Sequence, residues 1–251
     1  RNTCVSAWEQ GRALALQTAQ LLPVPDCLNT APAPAVAELY VAEKYGPDTV
    51  LVIMAADPVI ADQAALAAAV QVAAAAAVKG RIVAFGIHPT HPETGFGYMK
   101  AGNALGDGTF EISTFVEKPK LEDAEGFLKA GGYYWNGGMF LFHASTFLTE
   151  LQRLEPQMHQ SASASLTQAK RDLAFIRLDP GHFKACRNDS IDYAVMETTK
   201  LAAPAPLYAG RNDAGRWTFP ATQPTDAQGK AERGAVRTDN ERHAQVQDQY
   251  R

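Results

Sequence analysis

The chain has 251 residues, of which 46% are hydrophobic and 20% are charged, and its formal net charge is −4. This length supports a hydrophobic core without disulfide staples, and the acidic balance argues against a dedicated nucleic-acid-binding protein. Three cysteines without CxxC spacing favour a reducing compartment and no zinc site. The longest apolar stretch, 64–78, is short for a membrane span, and the N-terminal residues lack the layout of a signal peptide. We therefore expect a cytoplasmic protein with neither a membrane nor a nucleic acid as partner.

In the first half of the chain, the sequence predicts two helices over 12–22 and 35–45. A strand, a helix and a second strand follow them. The apolar run 49–54 is typical of a strand buried on both faces. An alanine-rich helix follows from Asp62, a good N-cap residue, to Lys79, and Gly80 can end it. A second apolar strand covers 81–87. This order predicts a βαβ unit with a parallel strand pair and a right-handed crossover.

The second half of the chain predicts further strands and helices in mixed order. We expect strands over 109–116, 139–142 and 201–208, and helices over 121–130, 145–154 and 191–200. From residue 220 onward the chain is polar and has no clear helical or strand pattern. These elements predict an α/β fold with a mixed, mostly parallel sheet flanked by helices over 1–219. A polar extension, short β segments or a linker, follows over 220–251.

Asp57 follows the first apolar strand directly. Ligands of open α/β sheets bind beyond the carboxyl ends of the parallel strands, and a carboxylate there suits Mg²⁺. The alternative is that Asp57 only shapes the turn before Pro58. Asp213 lies in the segment 212–215, and the alternative to a functional role is again that of an ordinary turn residue.

Glu117 and Lys118 end another predicted strand. Lysine can neutralise a phosphate and glutamate can accept a hydrogen bond from a hydroxyl, so the pair suits a sugar phosphate. A solvated turn before Pro119 is the alternative. Asn136 precedes Gly137, which is a hairpin signal, although its amide can also bind a sugar hydroxyl.

The segment 92–98 contains Gly95 and Gly97 at a spacing of two. This is too little for a dinucleotide-binding fingerprint, which needs three glycines between a strand and a helix. A flexible loop whose backbone approaches a ligand is the milder interpretation.

The order of these motifs resembles that of the mannose-1-phosphate guanylyltransferases, in particular the bacterial form often fused to a mannose-6-phosphate isomerase domain. The resemblance runs from about Asn29 to about Gly234. Besides the strand that ends at Asp57, the stretches that carry it are Asn29–Ala33, Phe85–Tyr98, Phe115–Pro119, Tyr134–Phe142 and Asn188–Glu197.

The resemblance implies a nucleotide-diphospho-sugar transferase fold, which is Rossmann-like, and a role in making nucleotide sugars for polysaccharides. It implies transfer of GMP from GTP to mannose-1-phosphate, which gives GDP-mannose and pyrophosphate. By position, the catalytic residues would be Asp57, Lys118 and Asp213, with Mg²⁺ held by the two aspartates. The sugar phosphate would be bound by Lys118 and by Gly97, Tyr98, Glu117 and Asn136.

One part of the family pattern is not visible in this sequence. Family members open with a strand and a Gly-rich loop that cradles the triphosphate, and residues 1–28 do not spell that loop. We therefore expect this segment to be missing or altered. Two alternatives stay open: a non-catalytic relative that binds a sugar phosphate or a partner, and a transferase for another sugar-1-phosphate. The oligomeric state is open, and a homo-oligomer is compatible with a guanylyltransferase and with both alternatives.

Overall fold

The computed structural model describes residues 20–55, 58–60, 62–172, 175–207, 211–213, 231–233 and 236–238. The chain divides into two compact units. The first unit comprises 1–54 and 68–207, and the second comprises 55–67 and 208–251. The division at residue 219, expected from the change in composition, stays a prediction.

Most of the predicted helices form close to their expected bounds. The described helices are α1 (Pro32–Tyr45), α2 (Gln63–Val78), α3 (Leu121–Ala130), α4 (Ala144–Leu154), α5 (Pro156–Thr167) and α6 (Pro180–Lys184). A π-turn covers Asp192–Met196, where a longer helix was expected. The helix expected over 12–22 lies largely outside the described residues.

Local chemistry explains where α2 begins and where α2 and α3 end. Asp62 Oδ1 accepts a hydrogen bond from Ala65 N–H at 2.9 Å, as its predicted capping role requires. Gly80 has a φ of +80° just after α2, and Gly131 has a φ of +67° just after α3. Glycine adopts this left-handed backbone without a steric penalty, so it allows the chain to leave each helix.

Six strands form one sheet. They are β1 (Val50–Ile53), β3 (Ile82–Ile87), β4 (Tyr98–Ala104), β5 (Phe110–Val116), β6 (Tyr133–His143) and β9 (Ala202–Leu207). The remaining strands pair two by two: β2 (Pro58–Ile60) with β10 (Arg211–Asp213), β7 (Lys170–Asp172) with β8 (Phe175–Arg177), and β11 (Ala231–Arg233) with β12 (Val236–Thr238).

Strand β6 is the centre of this sheet, because three other strands pair with it. One edge pairs with β3, and the other pairs with β4 through Tyr133–Trp135 and with β1 through Phe140–His143. All three pairings are antiparallel, as is β4 with β5, whereas β3 pairs with β9 in parallel. The α/β class and the mixed sheet are confirmed, but among these five pairings the antiparallel ones predominate.

The predicted parallel pair of 49–54 with 81–87 is not formed, and this is a correction to the βαβ prediction. Strands β1 and β3 run in the same direction, but β6 lies between them and pairs with both. Strand β1 is also not buried on both faces, since Val50 and Val52 are 36% and 40% exposed. The expected strand over 139–142 is instead the end of the longer β6.

The core of the first unit lies between the sheet and helices α1, α4 and α5. The rings of Phe142 on β6 and Phe147 on α4 stack with centroids 4.6 Å apart. Burying such aromatic side chains contributes a large share of the hydrophobic stabilisation. This packing fixes β6, and through it the strands whose ends are described next.

Candidate functional site

The strand ends at one side of β4 bring together four residues that the sequence analysis singled out. Tyr98, the first residue of β4, is the registered partner of Val116 in β5 and of Trp135 in β6. Each partner directly precedes a candidate residue, Glu117 or Asn136, while Gly97 directly precedes Tyr98. Asn136 N–H donates to the Gly97 carbonyl at 2.7 Å. The sheet register therefore places Gly97, Glu117 and Asn136 side by side.

Gly97 lies so close to Glu117 that no side chain fits between them. A Cβ at this position would collide with Glu117 Oε2 and would lie 3.3 Å from Asn136 Cβ. The Glu117 side chain is only 7% exposed, and its Oε2 has no hydrogen-bond partner in the described part of the chain. A buried acceptor without a partner is costly, so this oxygen is suited to a donor supplied by a ligand.

Lys118 has an unusual backbone conformation. Its φ is +46°, and it is the only non-glycine residue with a positive φ among those described. Such conformations are strained for residues with a Cβ and cluster at functional sites. The ammonium lies 3.3 Å from Glu117 Oε1, and the side chain is 61% exposed. Lys118 thus offers an accessible cation beside the buried Glu117 carboxylate.

The Asn136 side chain has a single orientation. Its Nδ2 donates to Asp192 Oδ1 at 2.6 Å, and its Oδ1 accepts from Gly138 N–H at 3.1 Å. The alternative that Asn136 and Gly137 form a hairpin turn is wrong, because both lie within β6. Gly137 is required there, since a Cβ would lie 2.6 Å from the Phe85 carbonyl oxygen.

Asp192 is a member of this cluster that the sequence analysis did not single out. Burial and the nearby Glu117 carboxylate raise its pKa to about 6, while the hydrogen bond from Asn136 and the charge of Lys118 act in the opposite direction. The neighbouring Glu197 has a raised pKa for similar reasons, burial first and Glu117 second. Asp192 lies inside the stretch 188–197 that carries the family resemblance, and this position is the sequence signal that could have identified it.

The Tyr98 side chain is buried and is not exposed at the surface of the cluster. It is fully buried, and its hydroxyl accepts from Glu93 N–H at 2.9 Å, while Glu93 Oε1 accepts from Gly95 N–H at 2.8 Å. Trp135 packs edge-on against His91 with ring centroids 4.9 Å apart. These contacts hold the loop 91–97, so Tyr98 shapes the loop, and its direct contact with a substrate stays a prediction.

The two predicted metal ligands belong to the second unit. Asp57 lies outside the described residues, and of Asp213 only the backbone is described. Asp213 ends β10 and is the registered partner of Pro58, the residue that follows Asp57 in the chain. The alternative that Asp213 is only a turn residue is not supported, because it is part of a strand. The residues that the structure describes contain no group of three His, Cys, Asp or Glu side chains able to hold a metal ion.

No helix in the described ranges is both long enough and apolar enough to cross a membrane.

Comparisons with known proteins relate this chain to sugar nucleotidyltransferases. Residues 4–215 match the family model described as nucleotidyl transferase, so the match extends further towards the N-terminus than the motifs quoted above. The xanthan biosynthesis protein XanB of Xanthomonas campestris pv. campestris is 48% identical over 92% of the chain and 49% of XanB. The mannose-1-phosphate guanylyltransferase RfbM of Salmonella typhimurium is 44% identical over 76% of the chain and 40% of RfbM. The chain thus spans about half the length of the curated relatives it matches.

Two solved structures share the fold. A Thermus thermophilus protein, described as a mannose-1-phosphate geranyltransferase, superposes with a TM-score of 0.71 and is 30% identical, covering 82% of this chain and 58% of its own. A Helicobacter pylori protein, described as a mannose-6-phosphate isomerase, gives a TM-score of 0.70 at 30% identity, with 76% and 74% covered.

Proposed function

Because this chain belongs to the nucleotidyl transferase family, we propose that it transfers GMP from GTP to mannose-1-phosphate, giving GDP-mannose and pyrophosphate. The observation that carries the proposal is the cluster of Gly97, Glu117, Lys118 and Asn136 at adjoining strand ends. The relative RfbM is named a mannose-1-phosphate guanylyltransferase. XanB and AlgA are named for xanthan and alginate biosynthesis, which supports a nucleotide sugar for polysaccharide synthesis as the product.

The cluster has the donors and acceptors that a sugar phosphate needs. Glu117 Oε2 is buried and has no partner among the described residues, and a sugar hydroxyl would donate to it. Gly97 leaves the space for that hydroxyl, since a Cβ there would collide with the same oxygen. Lys118 is exposed beside it and would neutralise the phosphate. This set selects a ligand with hydroxyls at one end and an anion at the other.

The reaction needs little covalent help from the protein. A phosphate oxygen of the sugar phosphate attacks the α-phosphorus of GTP, a new P–O bond forms, and the bond to the β-phosphate oxygen breaks as pyrophosphate leaves. Such a transfer depends on holding the two substrates in line and on neutralising their charges. Lys118 and the Glu117–Asn136 pair would therefore act by positioning the attacking phosphate.

We further propose that Asp57 and Asp213 hold Mg²⁺ in the second unit. The donor set fits, because carboxylates are the protein ligands that Mg²⁺ prefers alongside substrate phosphate oxygens. The pairing of Asp213 with Pro58 puts the β10 backbone opposite the neighbour of Asp57. When bound, Mg²⁺ would neutralise charge on the triphosphate.

Isothermal titration tests this function directly. The protein is titrated with mannose-1-phosphate, with glucose-1-phosphate and with GTP in the presence of Mg²⁺, each alone, and GDP-mannose formation is then assayed. We expect binding of mannose-1-phosphate and of GTP, and product only when both are present. Sugar phosphate binding without GTP binding would instead identify a non-catalytic relative, and a preference for glucose-1-phosphate would change the substrate.

The cytoplasmic location, the absence of membrane and nucleic-acid partners and a homo-oligomeric state remain parts of the proposal.

A further inference from the structure

Asp192 has a distinctive place in the chain. It opens the π-turn, in which Glu197 N–H donates to the Asp192 carbonyl at 2.9 Å. Single π-turns are rare and occur frequently at functional sites. The following side chain, Tyr193, is exposed, whereas the Asp192 carboxylate accepts a hydrogen bond from Asn136.

A second group of hydrogen bonds holds the chain just before Asp192. Thr30 Oγ1 accepts from Ile191 N–H at 3.2 Å, and Ala31 N–H donates to the Asp189 carbonyl at 3.0 Å. Asn29 N–H donates to Asn188 Oδ1 at 2.7 Å. We refer to these contacts between 29–31 and 188–191 as the clasp. The clasp fixes the backbone from which the Asp192 side chain extends.

Two hydrogen bonds set how the Asn136 amide points, and Asp192 makes the shorter one. Gly138 N–H donates to Oδ1 and favours this orientation, but without the Asp192 carboxylate the Nδ2 end of the amide has no hydrogen-bond partner among the described residues. With Asp192 accepting from Nδ2 at 2.6 Å, both ends are fixed, and an amide nitrogen has a second hydrogen to donate. Among the described residues Nδ2 donates to Asp192 alone, which leaves this second hydrogen for a ligand.

We propose that Asp192 is a positioning residue of the sugar-phosphate site, which orients the Asn136 amide so that its second N–H donates to a sugar hydroxyl. This inference rests on the proposed function and deepens it. Asp192 acts through Asn136, so its removal should matter only where the Asn136 amide is present.

The charges around Asp192 determine how the contact responds to pH. Glu117 and Lys118 face it from the end of β5, and Tyr193 and Glu197 belong to its own segment. On α4, which packs against the π-turn, Glu150 is paired with Arg153 and Thr199. The Asp192 pKa of about 6 means that the carboxylate is ionised at pH 8 and increasingly protonated at pH 5, where its hydrogen bond from Asn136 is weaker.

A double-mutant cycle tests the proposal by calorimetric titration of mannose-1-phosphate at pH 8. We expect Asp192→Ala to weaken binding about tenfold or more, and to change it less than about twofold when Asn136→Ala is already present. Asp192→Asn keeps an acceptor oxygen but not its charge, so it should restore only part of the affinity. Asp123→Asn, a substitution of an exposed acid on α3, is the matched control and should bind as the wild type does. Unfolding in urea verifies that each variant is folded.

The pH profile is a second readout, which needs only the isosteric Asp192→Asn variant. The ligand phosphate also titrates near pH 6, at about this value, and this contribution is common to both proteins. We expect the wild type to lose more affinity than Asp192→Asn between pH 8 and pH 5.

Four results would overturn the inference. Wild-type affinity in Asp192→Ala removes Asp192 from the site, and equal losses in both backgrounds show that it does not act through Asn136. If Asp192→Ala fails to fold, a pH profile of Asp192→Asn that superposes on the wild type decides against it. A wild-type protein that binds no sugar phosphate removes the proposed function, and this inference with it.

Discussion

At Lys118, backbone stability and the proposed chemistry oppose each other. The φ of +46° strains any residue with a Cβ by about 1–2 kcal/mol relative to glycine. In this strained conformation, the Lys118 side chain places an exposed ammonium beside Glu117. The backbone strain affects the stability of the fold, whereas the ammonium group affects ligand affinity, so substitutions at Lys118 can change the two separately.

Substitutions at Lys118 should therefore split affinity from stability. Both Lys118→Ala and Lys118→Gly should weaken mannose-1-phosphate binding by roughly 10- to 100-fold, the range for a lost hydrogen bond to a charged group. In urea unfolding, Lys118→Gly should be more stable than Lys118→Ala by about 1 kcal/mol. Lys129→Ala, on the exposed end of α3, is the control. Equal stability of the two variants would show that the backbone at 118 is not strained.

Gly97 gives a second prediction at the scale of one residue. A Cβ there collides with Glu117 Oε2, so Gly97→Ala must displace the buried carboxylate and fill the space assigned to the sugar hydroxyl. We expect sugar phosphate affinity to fall more than about tenfold. In Gly126→Ala on α3, by contrast, the new Cβ meets no atom within 4 Å, and titration should show unchanged affinity. Wild-type affinity in Gly97→Ala would contradict the site.

At the scale of the elements, α1 contains a buried acid that no neighbour in the described ranges stabilises. Glu38 is fully buried, and neither carboxylate oxygen has a hydrogen-bond partner among the described residues. Burial raises its pKa from 4.5 to about 8. Because the unfolded chain releases this proton at lower pH than the native state does, Glu38 costs no stability below about pH 4.5 and costs progressively more as the pH rises to about 8.

Glu38→Gln should remove this pH-dependent cost. We expect the variant to gain stability relative to the wild type as the pH increases from 5 to 8, by an amount on the order of a few kcal/mol at most. Urea unfolding at pH 5, 6.5 and 8 measures the difference. Glu43→Gln, which removes an exposed acid on the same helix, is the control for the loss of a carboxylate. Parallel curves for Glu38→Gln and the wild type would show that Glu38 ionises normally in the native state.

The sequence predicted the local features of the elements better than their pairing. The helix over 121–130 was predicted with its observed bounds, because composition and the following glycines act locally. The position of β6 between β1 and β3 was not predicted, since pairing between distant strands leaves no local signal. For the same reason Gly97, Glu117 and Asn136 could be named from motifs, but the positive φ of Lys118 and the contact of Asp192 required the tertiary structure.

At the scale of the whole molecule, the proposed roles divide between the two units. Glu117, Lys118 and Asn136 lie in the first unit, and Asp57 and Asp213 lie in the second. If Asp213 holds Mg²⁺ and does not contact the sugar, its loss should affect turnover and sugar binding differently. Comparing turnover with sugar binding therefore tests the proposed metal site separately from the proposed sugar site.

Asp213→Asn should lower GDP-mannose formation by more than about 100-fold, because charge neutralisation by the metal contributes several kcal/mol to such transfers. Its affinity for mannose-1-phosphate, measured without GTP, should stay within about twofold of the wild type, because the proposed role of Asp213 is to hold the metal and not the sugar. Glu232→Gln, in the same unit, is the control for a lost acid. Normal turnover of Asp213→Asn would contradict the metal assignment.

The clasp joins Thr30 to Ile191 across 161 positions of sequence, and closing so long a loop costs conformational entropy that later contacts must offset. A chain that has assembled its sheet but not this closure leaves the Asn136 amide without its second anchor. We therefore expect sugar affinity to depend on whether the clasp has formed. Substitutions at residues 29–31 should therefore weaken sugar binding through the backbone that carries Asp192.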